Sequence, residues 1–205
     1  SARFDLMSHS TLPFIRPLDE FYRRQGRPLP AFAVVAPEAL PEPARTLLVH
    51  ERDMTRTLEQ FHQGRIHLRV LSSHRTADAY WRESVLELDG TNSPVEFGAI
   101  KIVLDAFPEP WRSQILEEHR PLGGILNASG IAYTSRPTAY LRFEPDDFIS
   151  RAFGMATPPP SPGAVLAARS TADILESRVA LYGRQNTLRG PRDEVLAEII
   201  EILPP

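Results

Sequence analysis

A strand that places an arginine among apolar side chains is the feature of this sequence with the clearest chemical potential. The run Tyr80–Leu88 alternates polar residues with apolar or aromatic ones, and the Asp89-Gly90 pair after it is typical of a hairpin turn. Side chains in a strand point alternately to the two faces of the sheet. Arg82 therefore shares its face with a small and mostly apolar set, namely Ser84, Leu86 and Leu88.

An arginine on an apolar face needs an anionic partner. A guanidinium group keeps its charge in proteins, and its planar fork binds a carboxylate through two parallel hydrogen bonds. One interpretation is an internal ion pair between Arg82 and an Asp or Glu, since paired charges are how protein interiors accommodate arginine. The other interpretation is a binding site for the carboxylate of a ligand. The residues alone leave both interpretations open.

The last element of the chain, residues 194–203, fits two different structures. As a helix it would carry its glutamates in one polar stripe. As a strand it would place Glu198 on one apolar face with Leu196, Ile200 and Ile202. The periodicity favours a helix, whereas the preceding Gly190–Asp193 turn and the β-branched residues favour a strand. Only the strand would make Glu198 a candidate for acid or base chemistry.

Composition narrows the range of functions. The chain has 205 residues, enough for one sizeable core, so we expect a single domain. A formal charge of −3 with scattered Lys and Arg argues against a nucleic-acid partner. The absence of Cys excludes disulfides and thiol catalysis. No apolar run approaches the roughly 18 residues that span a bilayer, so we expect no membrane partner and a cytoplasmic location.

Metal and nucleotide sites have little support in the sequence. The six histidines do not form a ligand set at metal-binding spacing, and we expect no metal site. There is also no glycine-rich dinucleotide or phosphate loop and no Gly-x-Ser-x-Gly motif. Nucleotide binding and serine hydrolysis therefore find no support.

The hydrophobic pattern predicts an α+β domain built on an antiparallel sheet. Helices are predicted at residues 17–25, 42–50, 54–63 and 108–119, and strands at residues 65–71, 80–88, 95–105, 131–144 and 179–188. Asp53 is the predicted N-cap of the third helix, with Leu58 and Phe61 as its buried anchors. Gly123 and Gly124 are predicted to form a turn that allows a close backbone approach.

Several segments together resemble the chorismate pyruvate-lyase family. Residues 47–59, LLVHERDMTRTLE, resemble the family segment LLxxxxSMTxxLE, and residues 80–83 resemble its Tyr-Trp-x-Arg-Glu strand with one residue fewer before the arginine. Residues 120–123 look like its TPLG turn, residues 181–184 like its LWGRR strand, and residues 196–204 like its closing LTEhFLP segment. The resemblance covers about residues 45–204 in the family's order and leaves the first 40 residues uncovered.

The resemblance implies a fold and a set of site residues. The fold is a single-domain antiparallel sheet with helices packed on one side and an internal ligand cavity, here in residues 41–205, preceded by an arm and Pro-rich segment in residues 1–40. Arg82 corresponds to the carboxylate anchor, the backbone at Met54 and Leu122 to further substrate contacts, and Glu198 to the catalytic acid or base. The resemblance also favours a strand for the last element. Two extra residues between Glu198 and Pro204 leave Glu201 as the alternative acid or base.

The implied reaction is elimination of pyruvate from chorismate to give 4-hydroxybenzoate, a carbon–oxygen lyase reaction that needs no cofactor. The sequence leaves open whether the product would enter quinone synthesis such as ubiquinone biosynthesis, and it leaves the oligomeric state open. One alternative is a non-catalytic protein of the same fold that binds small aromatic acids, as the effector domains of some transcription regulators do. Another is a structural domain in which Arg82 and Glu198 pair with each other.

Overall fold

Seven strands and the helices between them make up the part of the chain that the computed structural model describes, residues 12–155 and 180–205. The strands are β1 (Phe32–Val35), β2 (Ile66–Arg75), β3 (Tyr80–Leu88), β4 (Pro94–Ile102), β5 (Thr134–Phe143), β6 (Leu181–Arg189) and β7 (Val195–Leu203). The α-helices are α1 (Leu18–Arg24), α2 (Ala44–Leu48), α3 (Met54–His62), α4 (Trp111–Leu116), α5 (Leu122–Ser129) and α6 (Asp147–Ala152). Short 3₁₀ helices occupy Leu12–Ile15, Pro37–Ala39 and Leu104–Ala106.

All seven strands belong to one antiparallel sheet in the order β1-β5-β6-β7-β4-β3-β2. The last element is therefore a strand, and it lies near the middle of the sheet between β4 and β6. Its apolar residues bury against neighbours on both faces, which explains why its sequence lacks a clean alternation. The α+β fold class with an antiparallel sheet is confirmed.

Helices cover both faces of the sheet, not one. On one face, Phe21 of α1 and Ile149 of α6 pack against strand residues that include Phe97 and Ile200. On the opposite face, α2, α3, α4 and α5 pack over the sheet in two further apolar clusters. The prediction of helices on one side is thus incomplete, because α1 and α6 close the second face.

The segment before residue 41 takes part in the same sheet and core. Strand β1 pairs with β5, and Ile15 and Leu18 are fully buried in the cluster beneath α1 and α6. Residues 1–11 of the predicted N-terminal arm lie outside the described residues. No helix in the described ranges is long and apolar enough to cross a membrane.

Candidate functional site

A cavity of about 60 Å³ lies between the sheet and the N-termini of two helices. The sheet contributes polar side chains to its lining, and the starts of α3 and α5 contribute Met54 and Leu122. Because one water molecule needs only about 10–15 Å³ by a comparable measure, the cavity has room for more than one small group. The polar lining residues from the strands include Arg82, Ser84, Glu96, Asn186 and Glu201.

Arg82 is buried in this lining and forms no ion pair with any residue in the ranges 12–155 and 180–205. The residue is 3% exposed, and its Nε and Nη1 atoms have no hydrogen-bond partner among the described residues. Burial lowers the pKa of the Arg82 guanidinium, and the nearby Tyr80 and Glu118 oppose that shift. Arginine nevertheless stays protonated in proteins. The cavity wall therefore carries a positive charge with unused hydrogen-bond donors.

Glu118 is the acidic residue whose charge acts on Arg82. The Tyr80 hydroxyl donates a hydrogen bond to Glu118 Oε1, in the segment that joins α4 to α5. Burial works against ionisation of Glu118, but hydrogen bonds from Tyr80 and Ser73 and the charge of Arg82 leave its pKa lowered. Burial and the bond to Glu118 raise the pKa of Tyr80 to about 12. The charges of Glu118 and Arg82 act on each other, but Nε and Nη1 of Arg82 have no hydrogen-bond partner among the described residues.

The N-termini of α3 and α5 meet at the cavity. Asp53 caps α3 by accepting hydrogen bonds from the backbone N–H groups of Thr55 and Arg56, both at 3.2 Å. The same carboxylate accepts a hydrogen bond from the amide of Asn127 in α5 at 2.8 Å, which ties the two helices together. A side chain at Gly123 would place its Cβ 2.2 Å from Asp53 Oδ1, so only glycine permits this close approach.

Backbone N–H groups at a helix start favour an anion. The N-cap residue of α5 is Pro121, which offers no side-chain hydrogen bond to the first turn. Leu122 and Gly123 in that turn line the cavity. Uncapped amides and the helix dipole give this end of α5 a partial positive charge. The cavity thus lies between the Arg82 guanidinium group of the sheet and the N-terminus of α5 in the helical layer.

Two buried glutamates, Glu201 and Glu96, lie on another part of the cavity lining. Arg184 is fully buried and donates a hydrogen bond from Nε to Glu201 Oε2. It also donates from Nη1 to the carbonyl oxygens of Leu48 at 2.9 Å and His50 at 2.8 Å. Glu96 is buried next to this pair. Burial and the neighbouring Glu201 raise the pKa of Glu96 well above its usual range, and Arg184 only partly opposes the shift.

The structure brings three of the four predicted site residues together. Arg82, Met54 and Leu122 line the same cavity, although they are far apart in the sequence. The prediction that Glu198 belongs to this site is wrong. Its side chain is 34% exposed and lies 3.9 Å from Lys101 Nζ. The alternative residue, Glu201, is the β7 carboxylate that lines the cavity.

The reason for this correction is the side-chain alternation of β7. Glu198 shares its face with Ile200 and Ile202, as the sequence predicts, but that face packs beneath α1 and α6. Residues at odd spacing from it, such as Glu201, point to the opposite face. Because Arg82 lines the cavity on that opposite face, the structural alternative of an Arg82–Glu198 pair is also wrong.

Sequence reasoning missed Glu96 and Arg184. Glu96 lies between Val95 and Phe97 in a largely apolar strand, a signal similar to the one that pointed to Arg82. Arg184 lies in a strand rich in polar residues, which gives no such signal. Gly123 and Gly124 are in the first turn of α5, not in a turn between elements. Phe61 is 46% exposed and does not anchor α3, whereas Leu58 is fully buried as predicted.

Solved structures with a similar fold include PhnF from Mycobacterium smegmatis. One crystal structure of PhnF aligns with a TM-score of 0.52 and 13% sequence identity, covering 76% of this chain and 64% of that chain. A structure of the effector domain of PhnF aligns with a TM-score of 0.51 and 14% identity, covering 74% of this chain and 87% of that chain. A GntR-family transcriptional regulator from Bacillus cereus matches with a TM-score of 0.42 and 10% identity, over 68% of this chain and 92% of that chain.

The comparisons establish the fold of the chain. At 13–14% identity, the likeness to PhnF establishes the fold alone. That fold is the chorismate lyase-like fold, which the effector domain of PhnF shares. The alignment spans less than two thirds of the first PhnF chain. Neither a scan against protein-family models nor a search of curated proteins found a match.

Proposed function

We propose that this domain binds a small carboxylic acid in the cavity, with Arg82 as the carboxylate anchor. The observation that carries the proposal is the buried Arg82 guanidinium, whose Nε and Nη1 donors have no partner among the described residues. A buried charge without a partner is costly, and a protein tolerates it where a ligand completes it. A carboxylate fits because it can accept two hydrogen bonds from one guanidinium.

The surroundings of Arg82 support an anionic ligand. The first turn of α5, at Leu122 and Gly123, lines the same cavity and has no side-chain cap. A helix N-terminus and an arginine together form a common arrangement for binding carboxylates and other anions. The fold likeness to the PhnF effector domain is in keeping with a domain that binds a ligand without transforming it.

Calorimetric titration with benzoate, a minimal aromatic acid, tests this proposal. We expect the protein to bind benzoate and Arg82→Gln to weaken binding at least about tenfold, since a hydrogen bond to a charged group is worth roughly 1.5–3 kcal/mol. Arg136→Gln makes the same charge change on the exposed side of β5 and serves as the control. Equal affinities for Arg82→Gln and Arg136→Gln would refute Arg82 as the anchor.

A second candidate function is the chorismate pyruvate-lyase reaction. Its support is that the cavity lining holds both Arg82 and the Glu201 carboxylate, so that an anion-binding group and an acid or base share one site. In this proposal Arg82 binds the ring carboxylate of chorismate and Glu201 takes the role first assigned to Glu198. Proton transfer by such a group contributes typically about 10²–10⁴-fold to a rate.

Incubation with chorismate separates the two functions. A lyase releases pyruvate and 4-hydroxybenzoate in equal amounts, which chromatography can follow together. A binding domain releases neither, but its melting temperature rises with 4-hydroxybenzoate because a ligand that binds only the folded state stabilises it. Equal release of both products by wild type and not by Arg82→Gln would favour the lyase.

A further inference from the structure

Glu96 is a buried acidic residue in the cavity that the proposed function does not use. It lies on β4, where Gly98 leaves open the space next to it. The Glu96 Oε1 atom is 3.4 Å from the position that a Cβ at Gly98 would take, and Ser84 Oγ is 3.9 Å from the same position. The carboxyl group therefore lies over Gly98 and close to Ser84, inside the cavity.

The carboxyl group of Glu96 forms no ion pair within the part of the chain that the structure describes. Its Oε2 atom is buried and makes no hydrogen bond to the described residues. The basic group nearby, Arg184, already binds Glu201 and two backbone carbonyls. Since two adjacent buried carboxylates cannot both stay ionised next to one guanidinium, the proton belongs on Glu96. A protonated carboxyl group is a hydrogen-bond donor.

Glu96 and Arg82 act on different parts of the cavity. Arg82 pairs with Ile100 in the register of β3 and β4, and Glu96 pairs with Leu86, two positions further along the same face. The Glu96 carboxyl group reaches back over Gly98, which pairs with Ser84. Successive positions on one face of a strand are about 7 Å apart. A ligand held at Arg82 by its carboxylate can therefore extend along the strands towards Glu96.

We infer that Glu96 selects among the acids that this cavity binds, by donating a hydrogen bond to an oxygen atom on the part of the ligand remote from its carboxylate. The ligand class is then a small hydroxy acid or oxo acid, not a purely hydrocarbon acid. The inference rests on the proposed function, because it presupposes a ligand carboxylate at Arg82. Glu96 stays unsatisfied until such a ligand binds, so it favours ligands with an oxygen at that place over those without one.

Two acids of nearly equal size test the inference. 4-Hydroxybenzoate carries an oxygen opposite its carboxylate, and 4-fluorobenzoate carries a poor hydrogen-bond acceptor in the same place. Calorimetry should show at least about tenfold tighter binding of 4-hydroxybenzoate to wild type, the usual scale for one satisfied buried group. Glu96→Leu should reduce the difference in affinity to within about threefold, because it weakens the binding of 4-hydroxybenzoate alone. Glu96→Gln keeps a hydrogen-bond donor and should retain most of the difference in affinity.

The melting temperature without ligand gives an independent readout. Replacing an unpartnered buried carboxyl group by an apolar side chain of similar size removes a cost, so Glu96→Leu should melt about 3 °C higher than wild type. A structural role for Glu96 would instead lower the melting temperature of this variant. That result would overturn the inference.

The binding data separate this inference from the proposed function. If wild type binds both acids equally, or Glu96→Leu keeps the preference for 4-hydroxybenzoate, Glu96 does not select the ligand while the anchor at Arg82 stands. If wild type binds neither acid, the proposed function fails and the inference fails with it.

Discussion

At the scale of single residues, the cavity joins two charged groups in opposite situations. Among the described residues, Arg82 has two unpartnered donors and no ion pair, whereas Arg184, with one unpartnered donor at Nη2, has its charge matched by Glu201. A matched pair is consistent with a structural role, and an unmatched charge is a cost that a ligand can relieve. This contrast is the reason for assigning ligand binding to Arg82 and not to Arg184.

Glu201 and Glu198 should differ in how much each contributes to the stability of the folded protein. Glu201→Gln removes the anion beside the buried Arg184, and we expect the free energy of unfolding to fall by about 3–5 kcal/mol. Glu198→Gln removes only a half-exposed contact with Lys101 and should cost less than about 1 kcal/mol. Urea denaturation measures both changes. Similar losses for the two variants would contradict the assignment of faces on β7.

At the scale of elements, the site depends on two helix starts that glycine brings together. Gly123→Ala would place its Cβ 2.2 Å from Asp53 Oδ1, so α5 must move away from α3. We expect a loss of about 1–3 kcal/mol in unfolding free energy, the usual cost of overpacking, and weaker acid binding.

The adjacent glycine offers a matched control for this prediction. A Cβ at Gly124 has Arg120 Nη2 as its nearest neighbour at 3.9 Å, an ordinary contact. Gly124→Ala should therefore be neutral or stabilise the helix by up to about 1 kcal/mol, because alanine favours helices. If Gly123→Ala proves as harmless in denaturation as Gly124→Ala, the close contact between α3 and α5 does not matter.

The sequence predicts elements where one local signal dominates. Alternation identifies β3 and the inward face of Arg82, and Asp53 identifies the start of α3. Where two local signals compete, the sequence does not decide between the two structures. Gly123 and Gly124 suggest a turn, but Pro121 before them is at the N-cap of α5, and tertiary packing of that helix decides the outcome.

The error at Glu198 has a similar cause. Alternation divides the side chains of β7 into two sets but does not say which set faces a ligand. When only one face of a sheet is buried, the apolar set identifies it. Here helices bury both faces, so Ile200 and Ile202 beside Glu198 pack beneath α1 and α6 and do not place Glu198 at the cavity.

At the scale of the whole molecule, the cavity lies within the layer between the sheet and helices α2 to α5. The opposite face is closed by its own apolar cluster, so site variants and core variants should affect different properties. Substitutions on the cavity face should change ligand binding. Substitutions on the face beneath α1 and α6 should change stability alone. The buried Glu96 affects both ligand binding and stability, because it lines the cavity and its pKa is raised in the folded protein.

The pH dependence of stability tests the state of Glu96. Its folded-state pKa is raised above the ordinary value of 4.5, so the folded protein keeps a proton that the unfolded chain releases. Stability from this group is full below pH 4.5 and declines as the pH rises through the folded-state pKa. We therefore expect Glu96→Gln to gain stability relative to wild type as the pH rises from 4.5 towards 8, in urea titrations of both proteins.

The difference between the two proteins isolates Glu96 from other titrating groups. Burial and the charge of Arg184 lower the pKa of His50 to about 4, and this residue affects wild type and variant alike. Parallel stability curves across this pH range would mean that Glu96 is not the proton carrier.

The measurement that tests ligand binding most directly is a thermodynamic cycle between Arg82 and the ligand carboxylate. Calorimetry would compare benzoate with benzamide, its neutral analogue, on wild type and on Arg82→Gln. The cycle isolates the interaction between the guanidinium and the carboxylate from the other effects of each change. We predict a favourable coupling of about 1.5–3 kcal/mol. A coupling near zero, with benzoate and benzamide bound equally well by wild type, would contradict the assignment of this cavity to an acid.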